Sequence, residues 1–126
     1  MGELNTTALA YIGDAVYETY IRSHVLKSGK THVDVLHNLA VKYVRADGQA
    51  LAIKKLFDSL SPEEQSLVKR ARNHKSMSRP KNADIITYKW ATALEALIGY
   101  LYLNEDTQRL EEIISMAIRV MDDEEK

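Results

Sequence analysis

Apolar residues recur at three- and four-residue intervals along almost the whole chain, the period of an α-helix and not of a strand. The run beginning Leu9-Ala10-Tyr11-Ile12-Gly13-Asp14-Ala15-Val16-Tyr17 continues to Leu26, and Gly29 is placed to stop it. This first helix is apolar over much of its circumference, which predicts a central position or a face pressed against a partner. Thr31-His32-Val33-Asp34 has capping-box spacing and predicts a second helix to about Val44, burying Val33, Leu36, Ala40, Val41 and Val44. Asp47-Gly48 reads as a break before a third helix that carries Leu51, Ile53, Leu56 and Phe57.

The next start is marked more sharply. Ser61-Pro62-Glu63-Glu64 offers a capping serine, a proline for the first helical position and an acid to close the box. That helix is expected to reach about Arg72. A polar stretch from Asn73 to Ala83 follows, and Asp84 caps a long helix from Ile85 to about Leu103, with Trp90, Leu94, Leu97, Ile98 and Leu101. A last amphipathic helix spans about Thr107 to Met121, leaving residues 122–126 as a frayed, solvated tail. The pattern predicts a single all-α domain over residues 1–126, with six or seven helices.

Composition narrows this picture. The 126 residues suit one domain, and 45% apolar with 28% charged residues is globular usage. Only 5 Gly and 2 Pro disfavour a turn-rich β-sandwich or barrel, and the absence of cysteine excludes disulfides, thiolate metal sites and a cysteine nucleophile. No stretch approaches the roughly 18 apolar residues of a membrane helix. Met1 to Thr6 fits the loose myristoylation pattern, but it has no basic flank to give a second anchor. A cytoplasmic protein that does not enter the membrane is expected.

The net charge of −1 excludes a uniformly basic nucleic-acid coat protein, yet the charge is unevenly placed. Lys69, Arg70, Arg72, Lys75, Arg79 and Lys81 lie in one segment without an acid, which leaves −7 (−1 less 6) on the rest. Asn73, His74, Ser76 and Ser78 add hydrogen-bonding groups beside them. Cations favour a helix C-terminus, so a solvated loop is one reading. The clustering extends well past the last helical turn, and it suits a phosphate backbone better. Arg70, Arg72, Asn73, Lys75, Ser76, Arg79 and Lys81 are the candidate nucleic-acid contacts.

Two acids interrupt apolar runs. Asp14 stands in Ile12-Gly13-Asp14-Ala15-Val16, and Glu95 stands in Ala93-Leu94-Glu95-Ala96-Leu97-Ile98-Gly99. A charge in a core is costly unless it is paired, bound to metal or protonated. An internal salt bridge and a metal site both satisfy that requirement, and periodicity does not choose between them. Gly13 and Gly99 accompany the two acids, which predicts close approach of two helices there. Glu18 lies one turn after Asp14 and pairs more simply with Arg22. Tyr11, Tyr17, Tyr20, Tyr88, Tyr100 and Tyr102 read as core or subunit-interface residues.

These two segments resemble a known family. Ile12-Gly13-Asp14-Ala15-Val16 is similar to the signature helix of ribonuclease III, and Glu95-Ala96-Leu97-Ile98-Gly99 to that domain's second conserved segment; Lys75-Ser76 resembles its K-S step. Nothing after Met121 is long enough for a double-stranded RNA-binding domain, so the likeness is to the Mini-ribonuclease III branch. Thr7 and Thr92 stand where ribonuclease III ordinarily has two further carboxylates.

The resemblance implies a Mg²⁺-dependent endoribonuclease that cuts double-stranded RNA. Asp14 and Glu95 would be the catalytic, metal-binding residues, and precursor large-subunit (23S) ribosomal RNA the substrate. It also implies a homodimer formed largely through the first helix. Of His24, His32, His37 and His74, none has metal-motif spacing, and His74 reads as an RNA contact or as exposed. Thr7 and Thr92 motivate a second reading, a catalytically weak RNA-binding or ribosome-assembly protein that keeps the fold.

Overall fold

In the computed structural model, residues 5–74 and 84–124 are described, and they form six α-helices with no strand among them. The helices are α1 (Thr6–Leu26), α2 (Val33–Val44), α3 (Ala46–Leu56), α4 (Pro62–Asn73), α5 (Ile85–Leu103) and α6 (Thr107–Glu124), with a 3₁₀ turn at Phe57–Ser59. The all-α expectation holds.

Each start has a local cause. The Asn5 side chain accepts from the Ala8 N–H at 2.8 Å and opens α1 three residues before the first apolar position. Ser61 and Glu64 exchange both capping-box hydrogen bonds around Pro62, as the sequence predicts for α4. Asp84 caps α5 and accepts from the Thr87 hydroxyl at 2.9 Å. Gly29, at φ 85°, follows the last turn of α1, a left-handed conformation that a side chain would oppose.

The hub is α5, not α1. It packs against α1, α3, α4 and α6, and Leu94, Leu97 and Ile98 are wholly buried in it. Tyr17 and Ile21 of α1, Ile53 of α3, Val68 of α4 and Ile113 of α6 close around them. Most of the apolarity of α1 is therefore consumed inside the chain. Burying side chains of this size contributes about 1.5–3 kcal/mol each, offset in large part by lost chain entropy.

Four local expectations are corrected. The capping residue of α2 is His32 without a side-chain bond, not Thr31, because the chain is extended at His32 itself. Within α2 only Tyr43 is buried; Leu36, Ala40 and Val44 are half-buried, while Val33 (61%) and Val41 (42%) stay exposed. The break before α3 falls at Arg45, not at Asp47-Gly48. Gly48 lies inside α3, where a side chain would meet the Lys42 carbonyl at 2.6 Å. Finally α6 runs on to Glu124, and Asp122 is held by the Tyr43 hydroxyl at 2.6 Å and Lys42 at 3.0 Å.

A second tie was illegible in the sequence. Arg109 of α6 forms a two-pronged bond to Glu64, at 2.9 and 2.8 Å, and so locks α6 onto the capping box of α4. Arg109 and the Ser61 bonds hold the Glu64 carboxyl below its usual value, against the cost of its burial.

Helices α1 and α5 approach closely at Gly13 and Gly99. A β-carbon on Gly13 would overlap the Glu95 carbonyl, and one on Gly99 would overlap the Leu9 carbonyl. Both obstacles are backbone, so neither moves aside cheaply. Gly13→Ala should therefore cost about 3 kcal/mol or more in denaturant unfolding, whereas Gly29→Ala, facing open space, should cost about 1 kcal/mol. Equal losses for the two variants would contradict this account of the crossing.

Candidate active site

The crossing that needs Gly13 and Gly99 also brings the two acids together. Asp14 follows Gly13 on α1, and Glu95 is the α5 residue whose carbonyl lies against Gly13. The charge of Asp14 acts on the Glu95 carboxyl. Their settings differ. Asp14 is exposed and not buried as its apolar neighbours suggest, because it lies on the solvent side of the crossing; Glu95 is half-buried.

Glu95 carries the strain of this arrangement. Burial raises its carboxyl first, the neighbouring Asp14 carboxylate raises it further, and the result is about 8. Gln49 of α3 opposes the rise through a hydrogen bond to Glu95. Its side chain is 4% exposed, so this amide is spent on the carboxylate instead of on water. Glu18 adds a smaller repulsion and pairs with Arg22 at 3.8 Å, as expected. The buried Tyr17 hydroxyl, which donates to the Tyr43 carbonyl, is pushed upward by burial and then by the charge of Glu95. None of the ion pairs among the described residues includes Asp14 or Glu95. Of the two readings the sequence left open, the internal salt bridge finds no partner there.

The acids open into a cleft of about 630 Å³ between α1, α4 and α5. Thr7 and Thr92, the positions without the expected carboxylates, both line it, as do Lys89, His74 and Tyr11. No group of three or more His, Asp or Glu side chains able to hold a metal occurs among the described residues. The donor set is thus two carboxylates, hard oxygen ligands without an internal counter-charge. That suits Mg²⁺, which keeps several waters and takes one or two carboxylates along with substrate phosphate.

Two site residues were missed in the sequence. Gln49 falls on the same stripe of α3 as Ile53 and Leu56, four and seven residues on, so a polar residue at a core position was a signal. Lys89, Thr92 and Glu95 are spaced three apart on α5, which puts the lysine near the face that carries the acid.

The basic segment is only partly described. Lys75, Ser76, Arg79 and Lys81 lie outside the described residues. Arg70 and Asn73 are exposed at the end of α4 and line a polar groove with Lys69 and His74. Arg72 differs: its guanidinium stacks 4.9 Å from the Trp90 ring centre and donates to Asn73 at 3.0 Å, so part of it is committed to the fold. Tyr11 (84% exposed) and Tyr102 (49%) are not core residues, in contrast to Tyr17.

Residues 7–106 match the ribonuclease III domain family. The chain is similar to the Mini-ribonuclease 3 of Thermoanaerobacter, at 42% identity over 95% of this chain and 84% of that protein. It is 45% identical to the Mini-ribonuclease 3 of Enterococcus faecalis, covering 93% of this chain and 90% of that one. It also resembles a crystal structure of a Fusobacterium nucleatum protein, with a TM-score of 0.83 and 32% identity over 93% of this chain and 90% of that chain.

The raised Glu95 carboxyl has a consequence for stability. Between an unfolded value of 4.5 and a folded value of about 8, the folded chain holds a proton that the unfolded chain has released, so stability falls as pH rises through that window. Glu95→Gln should remove this slope and raise stability at pH 8 by about 2 kcal/mol; one open side of the carboxyl keeps the gain below the roughly 5 kcal/mol of a fully dry group. Denaturant unfolding of wild type and variant from pH 5 to 9 measures it. Parallel curves would show that Glu95 is not strained.

Proposed function

The chain belongs to the ribonuclease III family, and on that premise we propose that it is a Mg²⁺-dependent endonuclease of double-stranded RNA that matures precursor large-subunit (23S) ribosomal RNA. The observation that carries this reading is the pairing of Asp14 and Glu95 at the wall of one cleft, with neither acid in an ion pair among the described residues. The RNA class and the 23S precursor rest on the likeness to Mini-ribonuclease III.

Asp14 and Glu95 would hold the metal, which when bound supplies charge neutralisation at the phosphate and an activated water. The protein's own contribution is placement. Gly13 and Gly99 set the separation of the two helices, and Gln49 keeps the Glu95 carboxylate turned to the cleft. Hydrolysis adds the oxygen of water to phosphorus and breaks the bond to the 3′ oxygen, which leaves with a proton. The ends are a 5′-phosphate and a 3′-hydroxyl.

Arg70 and Asn73 line a groove that shares His74 with the cleft, and with the cations of the segment that lie outside the described residues they would follow the RNA backbone. A duplex offers few exposed base faces, so contact with phosphates and sugars suits it. We place the protein in the cytoplasm; no helix among the described residues is long and apolar enough to cross a membrane.

The partner surface we propose for a homodimer includes the outer face of α1. Tyr11 projects there almost fully exposed, one turn before Asp14, a large ring that the described residues leave in water. Dimerisation would set two clefts along one RNA-binding valley and produce staggered cuts on the two strands.

Labelled duplex RNA incubated with Mg²⁺ should be cut by the wild type, and by neither Asp14→Asn nor Glu95→Gln, each at least about 1,000-fold slower. Mg²⁺ alone should raise the melting temperature of the wild type and leave Asp14→Asn unmoved. Duplex that is bound and left intact with Mg²⁺ would favour the RNA-binding or ribosome-assembly reading. Light scattering should report a dimer for the wild type and a monomer for Tyr11→Glu; a wild-type monomer that still cleaves would remove the interface from the account.

A further inference from the structure

The charge lining the cleft leaves one residue without a role. Glu18 is offset by Arg22, and Asp14 with Glu95 carries two negative charges once both are ionised. A divalent ion held by that pair brings the sum to zero. A phosphodiester then adds one negative charge, and its five-coordinate transition state adds a second. The threonines at 7 and 92 add no charge to the cleft.

Lys89 is the lysine or arginine among the cleft-lining residues. It is half-buried on α5 and belongs to none of the ion pairs among the described residues. Six residues separate it from Glu95, about 9 Å along the helix axis, and Thr92 lies between them on the same slanting stripe. A four-carbon stem lets its ammonium reach oxygens of a phosphate seated at the acids. Half-buried on the wall of the same cleft as both acids, Lys89 forms no ion pair with either. His74, the other basic group on the lining, is exposed at the C-cap that follows α4.

We propose that Lys89 is a further catalytic residue, which contacts a non-bridging oxygen of the scissile phosphate and offsets the charge that builds there. The inference rests on reading the cleft as ribonucleolytic. A charge contact made in a partly dry cleft is stronger in the transition state than in the bound substrate, because the phosphate charge doubles. Lys89 therefore acts mainly on turnover and less on affinity. It does not hold the metal.

Two measurements on full-length protein test this apart from the parent reading. In chelator, on an Asp14→Asn background, Lys89→Met should weaken duplex RNA binding a few-fold and reduce the salt slope by about one. With Mg²⁺ and saturating RNA, Lys89→Met alone should lower kcat about 100-fold, while Lys89→Arg should recover most of it and KM should move far less. The rise in melting temperature on adding Mg²⁺ should be the same in wild type and Lys89→Met. An unchanged salt slope overturns the proposal whether or not the wild type cleaves. So does a kcat within about threefold of wild type, or failure of arginine to rescue a folded variant. A wild type that binds duplex and never cuts it overturns the parent reading instead, and with it a role of Lys89 in turnover.

Discussion

Everything that distinguishes this domain depends on the contact of two helix backbones at Gly13 and Gly99. At neither position is there room for a single methyl group, because a backbone carbonyl occupies the space. Carbonyls of a helix cannot retreat without breaking the hydrogen bonds of their own turn, so the tolerance is set by main chain and not by rotamers. That rigidity is useful beside a reacting group. Asp14 and Glu95 are positioned by two helices in backbone contact, so their separation does not depend on loops.

Holding two carboxylates together opposes folding. Glu95 is desolvated and faces a like charge, and its carboxyl rises to about 8 in consequence. Elsewhere the domain treats acids differently: Glu64, also buried, is held down by a bidentate arginine and by a helix cap. The contrast separates a structural acid from the pair proposed to hold a metal. Glu64 has every oxygen occupied by the protein, whereas the Asp14–Glu95 pair has only Gln49 in support and opens to solvent. In the proposed reading a cation would relieve that repulsion.

The basic residues show how far proximity in sequence misleads. Arg70 and Arg72 are two positions apart, yet a helix turns them to different faces. Arg70 stays in solvent at the groove, and Arg72 lies on Trp90 next to Lys54, whose ammonium is 5.8 Å from the same ring. A cationic segment is thus a mixture of ligand-facing and fold-facing charges. The same holds for apolar residues: α1 looks like a partner-binding helix by composition, but α5 takes up most of it, and α2 is left with exposed Val33, Val35, Leu39 and Val41.

What the sequence determined alone was whatever acts within a few residues. Helical periodicity set the fold class, Ser61-Pro62-Glu63-Glu64 its clearest boundary, and the glycines beside Asp14 and Glu95 announced a close approach. Residues far apart in the chain were beyond its reach: Arg109 on Glu64 spans 45 positions, Tyr43 on Asp122 spans 79, and the frayed-tail expectation failed because of that second contact. Burial was misjudged for the same reason. A residue's neighbours in sequence do not say which side of a helix crossing it occupies, so Asp14 read as core and proved exposed. Only the tertiary structure could place Gln49 under Glu95 and Lys89 on the cleft wall, because both positions follow from where α3 and α5 meet their neighbours and not from the order of residues along either helix.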